Sequence, residues 1–340
     1  MEKREFTLED FNYEVPKELI AQEPVLPRDA ARLLVLRGNS IEHRTFRDIV
    51  DYVSRGDVIV INNTRVIPAR FSGKKESGGK AEALLIRIRS DGSWEAIVSG
   101  KNIKKGSRLF FGKFSAEVLE KEEGRFFLRF DVEPEKLISS GEIPLPHYIK
   151  KMPENPEMYQ TVYSRREGAI AAPTAGLHFT PELIEKIKSK GVKFVEITLH
   201  VGLGTFRPVK DMATHRMDPE FYEVREEAAL EINNAAKSGH RIFAVGTTVL
   251  KTLETVSKGG IVNAGCGESS LFIKPGHIFQ SPVSALITNF HIPKSTLIML
   301  VTAFSGYDEV MTAYREAVQH RYRFFSFGDA MLLYKKAEMP

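Results

Sequence analysis

Two turns rich in small residues flank a short predicted helix and strand between residues 171 and 206, and each turn has a histidine beside it. His178 precedes the helix, and His200 ends the strand. An imidazole can accept or release a proton near neutral pH. Glycines allow a ligand to approach backbone amides closely. These turns therefore form a candidate site, and their small residues are Gly176, Gly202, Gly204 and Thr205.

Two further strand-to-helix junctions carry polar residues. After a predicted strand at 241–245, Gly246, Thr247 and Thr248 lead directly into a helix. The free amides and the dipole of a helix N-terminus favour an anion there, although capping by either threonine explains the same residues. His291 follows another predicted strand. Several such junctions at one edge of a sheet would form a pocket.

The elements that must position these residues alternate as in an α/β protein. Thr180 and Pro181 predict a helix start, since the hydroxyl caps free amides and proline suits the first helical position. The β-branched run 192–201 and the apolar run 58–61 predict buried strands. A further strand is predicted at 270–274.

Between residues 70 and 132 the pattern changes to short alternating runs without helical periods. Such runs are typical of a small antiparallel barrel or sandwich. The chain has 340 residues, which is more than one core usually fills. We therefore predict an α/β protein with a mixed α/β large domain, formed by residues 1–69 and 151–340, and an inserted small antiparallel β-barrel domain at 70–150.

Composition excludes several classes of protein. The single cysteine, Cys266, excludes an internal disulfide framework and a cysteine-rich zinc site, so we expect a reducing, cytoplasmic setting. No apolar run has the length of a signal peptide or a membrane span, and we expect no membrane. No GxGxxG, Walker A, HExxH or GxSxG motif occurs in its required context. The net charge of +4 permits a polyanionic partner without demanding one.

One group of three residues suggests a metal site. His215, Asp218 and Glu220 lie within six positions of one another. However, neither a zincin spacing nor a cysteine pair accompanies them. We therefore expect no bound metal.

Basic residues occur in two segments. A loop of the predicted barrel carries Lys104 and Lys105, which either contact phosphates or form a solvated face. The segment 147–166 interleaves aromatic and basic residues, ending in Arg165 and Arg166. Stacking side chains beside cations suit unpaired bases, although aromatic residues more commonly anchor a loop.

Taken together, the motifs resemble one family. The segments of this sequence that carry the resemblance include GDVIVINNTRVIPARFSG, YQTVYSRREGAIAAPTAGLHFT, LHVGLGTFRPV, AVGTTVLKTLET, ALITNFHIPKSTLIMLVTAFSG and YRFFSFGDAMLL. They closely resemble the S-adenosylmethionine:tRNA ribosyltransferase-isomerases of queuosine biosynthesis. The resemblance covers essentially the whole chain in order.

The resemblance implies a reaction. The family transfers the ribosyl part of S-adenosylmethionine to tRNA carrying 7-aminomethyl-7-deazaguanine at the anticodon wobble position. The sugar rearranges to give epoxyqueuosine-tRNA, with release of adenine and methionine. S-adenosylmethionine is then a consumed co-substrate, no metal is expected, and the protein is expected to be a monomer whose large α/β domain carries an inserted barrel.

On this basis we assign roles as hypotheses. His178 and His291 are the candidates for the proton transfers, and the alternative for each is a neutral histidine that holds its loop by a hydrogen bond. The donor is assigned to Gly176, Gly202, Gly204, Thr205, Gly246 and Thr247. The RNA is assigned to Arg65, Lys104, Lys105, Arg165, Arg166, Arg321 and Arg323. Arg65 also suits a carboxylate, or a salt bridge within its own turn.

Three positions depart from the family's usual pattern. Asn63 stands where an aspartate is common, which makes an acidic role there doubtful. Lys251 stands where an arginine is usual, which keeps the charge but loses bidentate pairing. Asp218 stands where a histidine is common, which weakens a catalytic role at that position.

Two other functions explain part of the sequence. A non-catalytic RNA-binding protein would account for the barrel, the aromatic residues and the basic loops, but not for several glycine turns at strand-to-helix junctions. An ordinary methyltransferase would also use S-adenosylmethionine. The mass of tRNA after incubation with this donor distinguishes all three.

Overall fold

A computed structural model describes residues 4–122, 124–151, 153, 155–202 and 209–336. The chain divides into two compact units. The larger unit comprises Met1–Arg65, His147–Arg166 and Ala172–Pro340, and the smaller comprises Val66–Pro146 with Glu167–Ala171.

The regular elements of the described residues are as follows. The strands are β1 (Arg32–Arg37), β2 (Ser40–Thr45), β3 (Val58–Asn62), β4 (Thr64–Val66), β5 (Arg70–Lys75), β6 (Lys80–Ile88), β7 (Trp94–Ser99), β8 (Arg108–Phe111), β9 (Phe114–Glu122), β10 (Arg125–Phe130), β11 (Arg166–Ala169), β12 (Lys193–Leu199), β13 (Glu220–Val224), β14 (Ile242–Val245), β15 (Ser257–Lys258), β16 (Ile261–Val262), β17 (Gly265–Ser269), β18 (Val283–Asn289) and β19 (Ala330–Tyr334). The α-helices are α1 (Pro134–Ile138), α2 (Pro181–Ser189), α3 (Glu226–Lys237), α4 (Thr247–Val256), α5 (Thr296–Ser305) and α6 (Tyr307–Gln319). The 3-10 helices are Leu8–Phe11, Lys17–Leu19, Arg28–Ala30, Phe46–Tyr52, Pro156–Tyr159 and Thr174–His178.

The larger unit is built on a mixed sheet. Its described strands follow the order β17-β13-β12-β3-β14-β18-β19-β1-β2. The central strands β12, β3, β14 and β18 are parallel, whereas β19 runs antiparallel to β18. The carboxyl ends of the four parallel strands therefore lie along one edge of the sheet, beside the start of β19.

Apolar residues cover both faces of this sheet. In β3, Val58 and Val60 pack into one core with α3, α4, α5 and α6. The alternate residues Ile59 and Ile61 pack into a second core on the opposite face, with residues of α2. This double burial explains why β3 reads as an unbroken apolar run, as expected for a central parallel strand.

The predicted helix after Thr180 is confirmed. The hydroxyl of Thr180 accepts a hydrogen bond from the Leu183 amide at 3.2 Å, and Pro181 occupies the first helical position. The predicted strand at 270–274 is wrong. β17 ends at Ser269, which pairs with Glu220, the first residue of its neighbour β13, so β13 offers no partner to the residues after Ser269.

The smaller unit contains a closed barrel. Its described strands follow the order β10-β7-β6-β5-β8-β9. Alternate residues point into its core, as with Phe114, Ala116 and Val118 of β9. The predicted fold class, a mixed α/β domain with an inserted antiparallel barrel, is therefore confirmed. No helix within the described ranges is long and apolar enough to cross a membrane.

Candidate functional site

A cavity in the larger unit lies outside the carboxyl ends of β14 and β18, which is where open α/β sheets bind ligands. It encloses about 610 Å³ of empty space, part of it open to solvent. Its walls are residues 172–175, 246–248, 288–292 and 325–326, with Tyr148, Val201, Ser295 and Leu297. Four segments that are distant in sequence thus meet at one cavity.

The β14–α4 junction supplies one wall. Gly246 adopts φ +92° and ψ 151°, a conformation that is almost restricted to glycine, and its amide donates to the Ile287 carbonyl at 2.8 Å. Helix α4 begins at Thr247 and has no side-chain cap, so the interpretation of Thr247 or Thr248 as a capping residue is wrong. The hydroxyl of Thr248 is buried without a hydrogen-bond partner.

His291 lies in the part of the wall formed by residues 288–292 and is held at three points. Its Nε2 is 2.9 Å from the Thr288 hydroxyl. Its backbone amide donates to the Tyr314 hydroxyl at 3.0 Å, and its carbonyl accepts from the Tyr13 hydroxyl. Burial lowers the pKa of His291 to about 3. The ring is therefore neutral at physiological pH.

His178 is not a lining residue of the cavity, but it contacts Asn289, which is one. Its Nε2 accepts a hydrogen bond from the Asn289 amide at 3.2 Å, and its ring packs against Phe46. Burial lowers the pKa of His178 to about 3, with smaller contributions from Arg323 and Arg28. The reason for choosing both histidines, that they titrate near the working pH, is therefore wrong for the unliganded protein.

The predicted glycines have different environments. Gly246 lines the cavity, whereas Gly176 does not: a Cβ on Gly176 would lie 2.0 Å from the Tyr163 hydroxyl, so this glycine makes room for the buried hydroxyl of a partly buried tyrosine. The Gly202 amide donates to Glu220 Oε1 at 2.8 Å. Gly204 and Thr205 lie outside the described residues.

Of the three residues that were considered as metal ligands, Glu220 has another partner. Glu220 forms a buried ion pair with Lys251, 2.9 Å between Oε2 and Nζ. Among the described residues, the one group with metal-ligand geometry is instead His43, Glu316 and His320, at the end of α6 and on β2.

Several of the cations assigned to RNA already have partners. Arg65 contacts Glu157 and the Ser164 hydroxyl, Arg165 contacts Glu196, and Arg166 contacts Glu223 at 2.8 Å. Arg323 donates to the Glu23 carbonyl, and Arg321 is exposed. Lys104 and Lys105 are exposed on the smaller unit. An RNA phosphate near Arg65, Arg165 or Arg166 would have to compete with these acceptors.

The lining residues that sequence reasoning did not assign to the site include Tyr148, Asn289, Phe325 and Ser326. The Tyr148 hydroxyl lies 2.6 Å from the Ser326 hydroxyl, and burial raises the pKa of Tyr148 to about 12. Phe325 has φ +71°, which is rare for a bulky residue and recurs at functional sites. Asn289 could have been predicted as a site residue from the sequence, because it is a polar residue at the carboxyl end of a buried strand.

The chain is similar to proteins of known family. The family model described as "Queuosine biosynthesis protein" matches residues 8–333. The S-adenosylmethionine:tRNA ribosyltransferase-isomerase of Thermotoga petrophila is 52% identical over 333 residues, covering 95% of this chain and 98% of the relative. That of Symbiobacterium thermophilum is 52% identical over 339 residues, covering 96% and 99%.

A solved structure agrees with these sequence matches. The crystal structure of S-adenosylmethionine tRNA ribosyltransferase from Thermotoga maritima aligns with a TM-score of 0.56 and 44% identity, covering 95% of this chain and 99% of that one. Matches of this extent leave no part of the cavity described above outside the shared region. The chain belongs to the queuosine biosynthesis protein family.

Proposed function

We propose that this protein transfers and isomerises the ribosyl moiety of S-adenosylmethionine onto 7-aminomethyl-7-deazaguanine at the wobble position of tRNA. The product is epoxyqueuosine-tRNA, and adenine and methionine are released. The observation that carries the proposal is that two of the family-like motifs, APTAGLHFT and TNFHIPKSTLIMLVTAF, both contribute walls to one cavity.

The composition of the cavity suits the nucleoside part of the donor. Its described lining residues include no aspartate, glutamate, lysine or arginine. Hydroxyls, one amide and the His291 imidazole supply the polar contacts, and Ala172, Val201 and Phe290 supply apolar surface. Small-molecule sites commonly combine apolar walls with a few placed polar groups. Such a lining can enclose a nucleoside while excluding water.

His291 is the group we assign to proton transfer. Within the described lining, it and Tyr148 are the titratable residues, and Tyr148 keeps its proton because its pKa is raised to about 12. A histidine with a pKa of about 3 is unprotonated and available as a base at neutral pH, but it is a weak one. It therefore needs an acidified carbon, and the sulfonium of the donor provides this at the adjacent ribose carbon.

The same low pKa makes the protonated ring a strong acid. In our proposal, His291 takes the proton from the ribose carbon and passes it to adenine, whose departure as a neutral base needs a proton. The bond between ribose and adenine breaks. The aminomethyl nitrogen of the modified guanine bonds to a sugar carbon and releases one proton to solvent, and the carbon–sulfur bond breaks with its electron pair left on sulfur, so that methionine departs as the sugar carbons close into the cyclitol ring. His178 acts in this scheme by positioning Asn289, not by contacting the donor.

Mass analysis of tRNA tests the proposal. Substrate tRNA carrying 7-aminomethyl-7-deazaguanine is incubated with the protein and S-adenosylmethionine, and the nucleosides are then analysed. A cyclitol-sized addition with release of adenine and methionine is expected. A methyl addition would identify a methyltransferase, and unmodified tRNA that nevertheless binds would identify an RNA-binding protein. Either result would refute the proposed activity.

A further inference from the structure

A second, smaller chamber, the side chamber, adjoins the main cavity and shares Thr247, Thr248 and Leu297 with it. It contains about 330 Å³ of empty space, part of it open to solvent. Its apolar walls come from Met217, Leu271, Phe272, Ile273 and Leu300, and its polar groups from Glu220, Lys251 and Thr296 in addition to the shared threonines. The main cavity therefore continues into a compartment that, unlike it, contains charges.

The two charges form a buried pair. The Lys251 ammonium lies 2.9 Å from Glu220 Oε2, and the side chains are 7% and 2% exposed. Removing two charges from water is costly, and a buried ion pair is weak evidence for a role in stability. The pair does, however, present one positive and one negative group to the same small space. That pattern is complementary to a zwitterion.

Two hydroxyls in the same chamber have no hydrogen-bond partner. They belong to Thr248, at the start of α4, and to Thr296, at the start of α5. Both residues are buried, with 9% and 4% exposure. Buried polar groups in native proteins are nearly always satisfied, and those that are not call for an explanation. A ligand with hydrogen-bonding oxygens or nitrogens provides one.

We propose that the side chamber binds the amino-acid end of the sulfonium donor, an inference that rests on the function proposed above. The α-carboxylate faces Lys251 and the hydroxyls of Thr248 and Thr296, and the α-ammonium faces Glu220. The methylene chain lies against the apolar wall. The nucleoside then occupies the main cavity, and the reacting sulfonium lies where the two compartments meet, at Thr247 and Thr248.

The chamber is tested by calorimetry with three ligands: S-adenosylmethionine, decarboxylated S-adenosylmethionine, which lacks the carboxylate, and 5′-methylthioadenosine, which lacks the amino-acid end. The parent protein is expected to bind the first ligand about tenfold to a hundredfold more tightly than the second, as for loss of charged hydrogen bonds. Lys251→Met should remove most of this preference.

Two threonine variants test the side chamber without changing the ion pair between Lys251 and Glu220. Thr248→Val and Thr296→Val retain shape and charge, and each should reduce the preference for the carboxylate-bearing ligand several-fold. The matched control is Thr252→Val, because the Thr252 hydroxyl is buried on the same helix but bonds the Thr248 carbonyl at 2.9 Å. This control should leave the preference unchanged.

The possible outcomes distinguish failure of the side-chamber proposal from failure of the proposed function. If the parent modifies tRNA but binds the first two ligands equally, or if Lys251→Met and both threonine variants keep the full preference, the chamber is wrongly assigned while the activity stands. If the parent neither binds S-adenosylmethionine nor modifies tRNA, both proposals are refuted.

Discussion

The side-chain amide of Asn289 lies 3.2 Å from Nε2 of His178, although 111 positions separate the two residues. The same amide group donates to the Phe325 carbonyl at 3.2 Å, and its oxygen accepts from the Thr174 hydroxyl at 3.2 Å. Asn289 therefore joins three of the segments that form the main cavity. A neutral His178 can accept this bond, and a protonated one cannot.

The first prediction concerns this junction. Asn289→Ala should lower the free energy of unfolding by about 1–3 kcal/mol, because it leaves the His178 ring nitrogen and the Thr174 hydroxyl without this partner and removes one of the two donors to the Phe325 carbonyl, and it should lower the rate of tRNA modification. Denaturant titration and single-turnover kinetics measure the two effects. Asn263→Ala is the control, since Asn263 is exposed and its side chain bonds only locally, to the Val256 carbonyl. Equal behaviour of the two variants would contradict the role of Asn289.

The second prediction separates the two histidines. His291→Gln should lower the single-turnover rate by about 100-fold or more, the usual contribution of a proton-transfer group, while tRNA binding is retained. His178→Ala should also lower turnover far more than tRNA binding, but through a displaced Asn289. An unchanged single-turnover rate in His178→Ala would remove that residue from the mechanism. An unchanged rate in His291→Gln would require another base.

The third prediction concerns the pH dependence of turnover. Because burial lowers the pKa of His291 to about 3, the free enzyme keeps this base unprotonated between pH 8 and pH 5. The quantity kcat/KM reports ionisations of the free enzyme, so it should show no acid limb near pH 6.5 that arises from His291. An acid limb near that pH that disappears in His291→Gln would show that the active ring is solvated, in conflict with the burial described here.

The architecture of this protein was largely predictable, because the pattern of apolar and polar residues along the chain determines it. The run 58–61 predicted a buried strand because residues on both of its faces meet apolar cores, and alternation between 70 and 132 predicted the barrel. The environments of individual side chains were harder to predict from the sequence. No local pattern shows that Gly176 accommodates Tyr163, or that burial holds His178 and His291 neutral, because those facts depend on contacts between distant segments.

The fourth prediction concerns stability at low pH. Both buried histidines have a folded-state pKa of about 3, against 6.5 for an unperturbed ring. The unfolded chain therefore binds protons below about pH 6.5 that the folded chain does not, so this contribution to stability is complete above that pH and is lost as the pH falls towards 3. Each histidine should add a slope of about 1.4 kcal/mol per pH unit. Denaturant titrations at several pH values should show a shallower slope in His178→Gln than in the parent, and an identical slope would contradict the burial of this ring.

The fifth prediction concerns Gly246, where the backbone and the cavity impose separate requirements. Its φ of +92° disfavours any residue with a Cβ, at a cost of about 1–3 kcal/mol. A Cβ there would also lie 3.3 Å from the hydroxyl of Thr248, a residue that lines both compartments of the proposed donor site. Gly246→Ala should therefore weaken donor binding as well as stability. Gly239→Ala is the control, because Gly239 also has a positive φ, +76°, but a Cβ there meets nothing within 4 Å. Calorimetry should show weaker S-adenosylmethionine binding in the first variant alone; if both variants lose stability and both keep the parent affinity, the β14–α4 junction does not contact the donor.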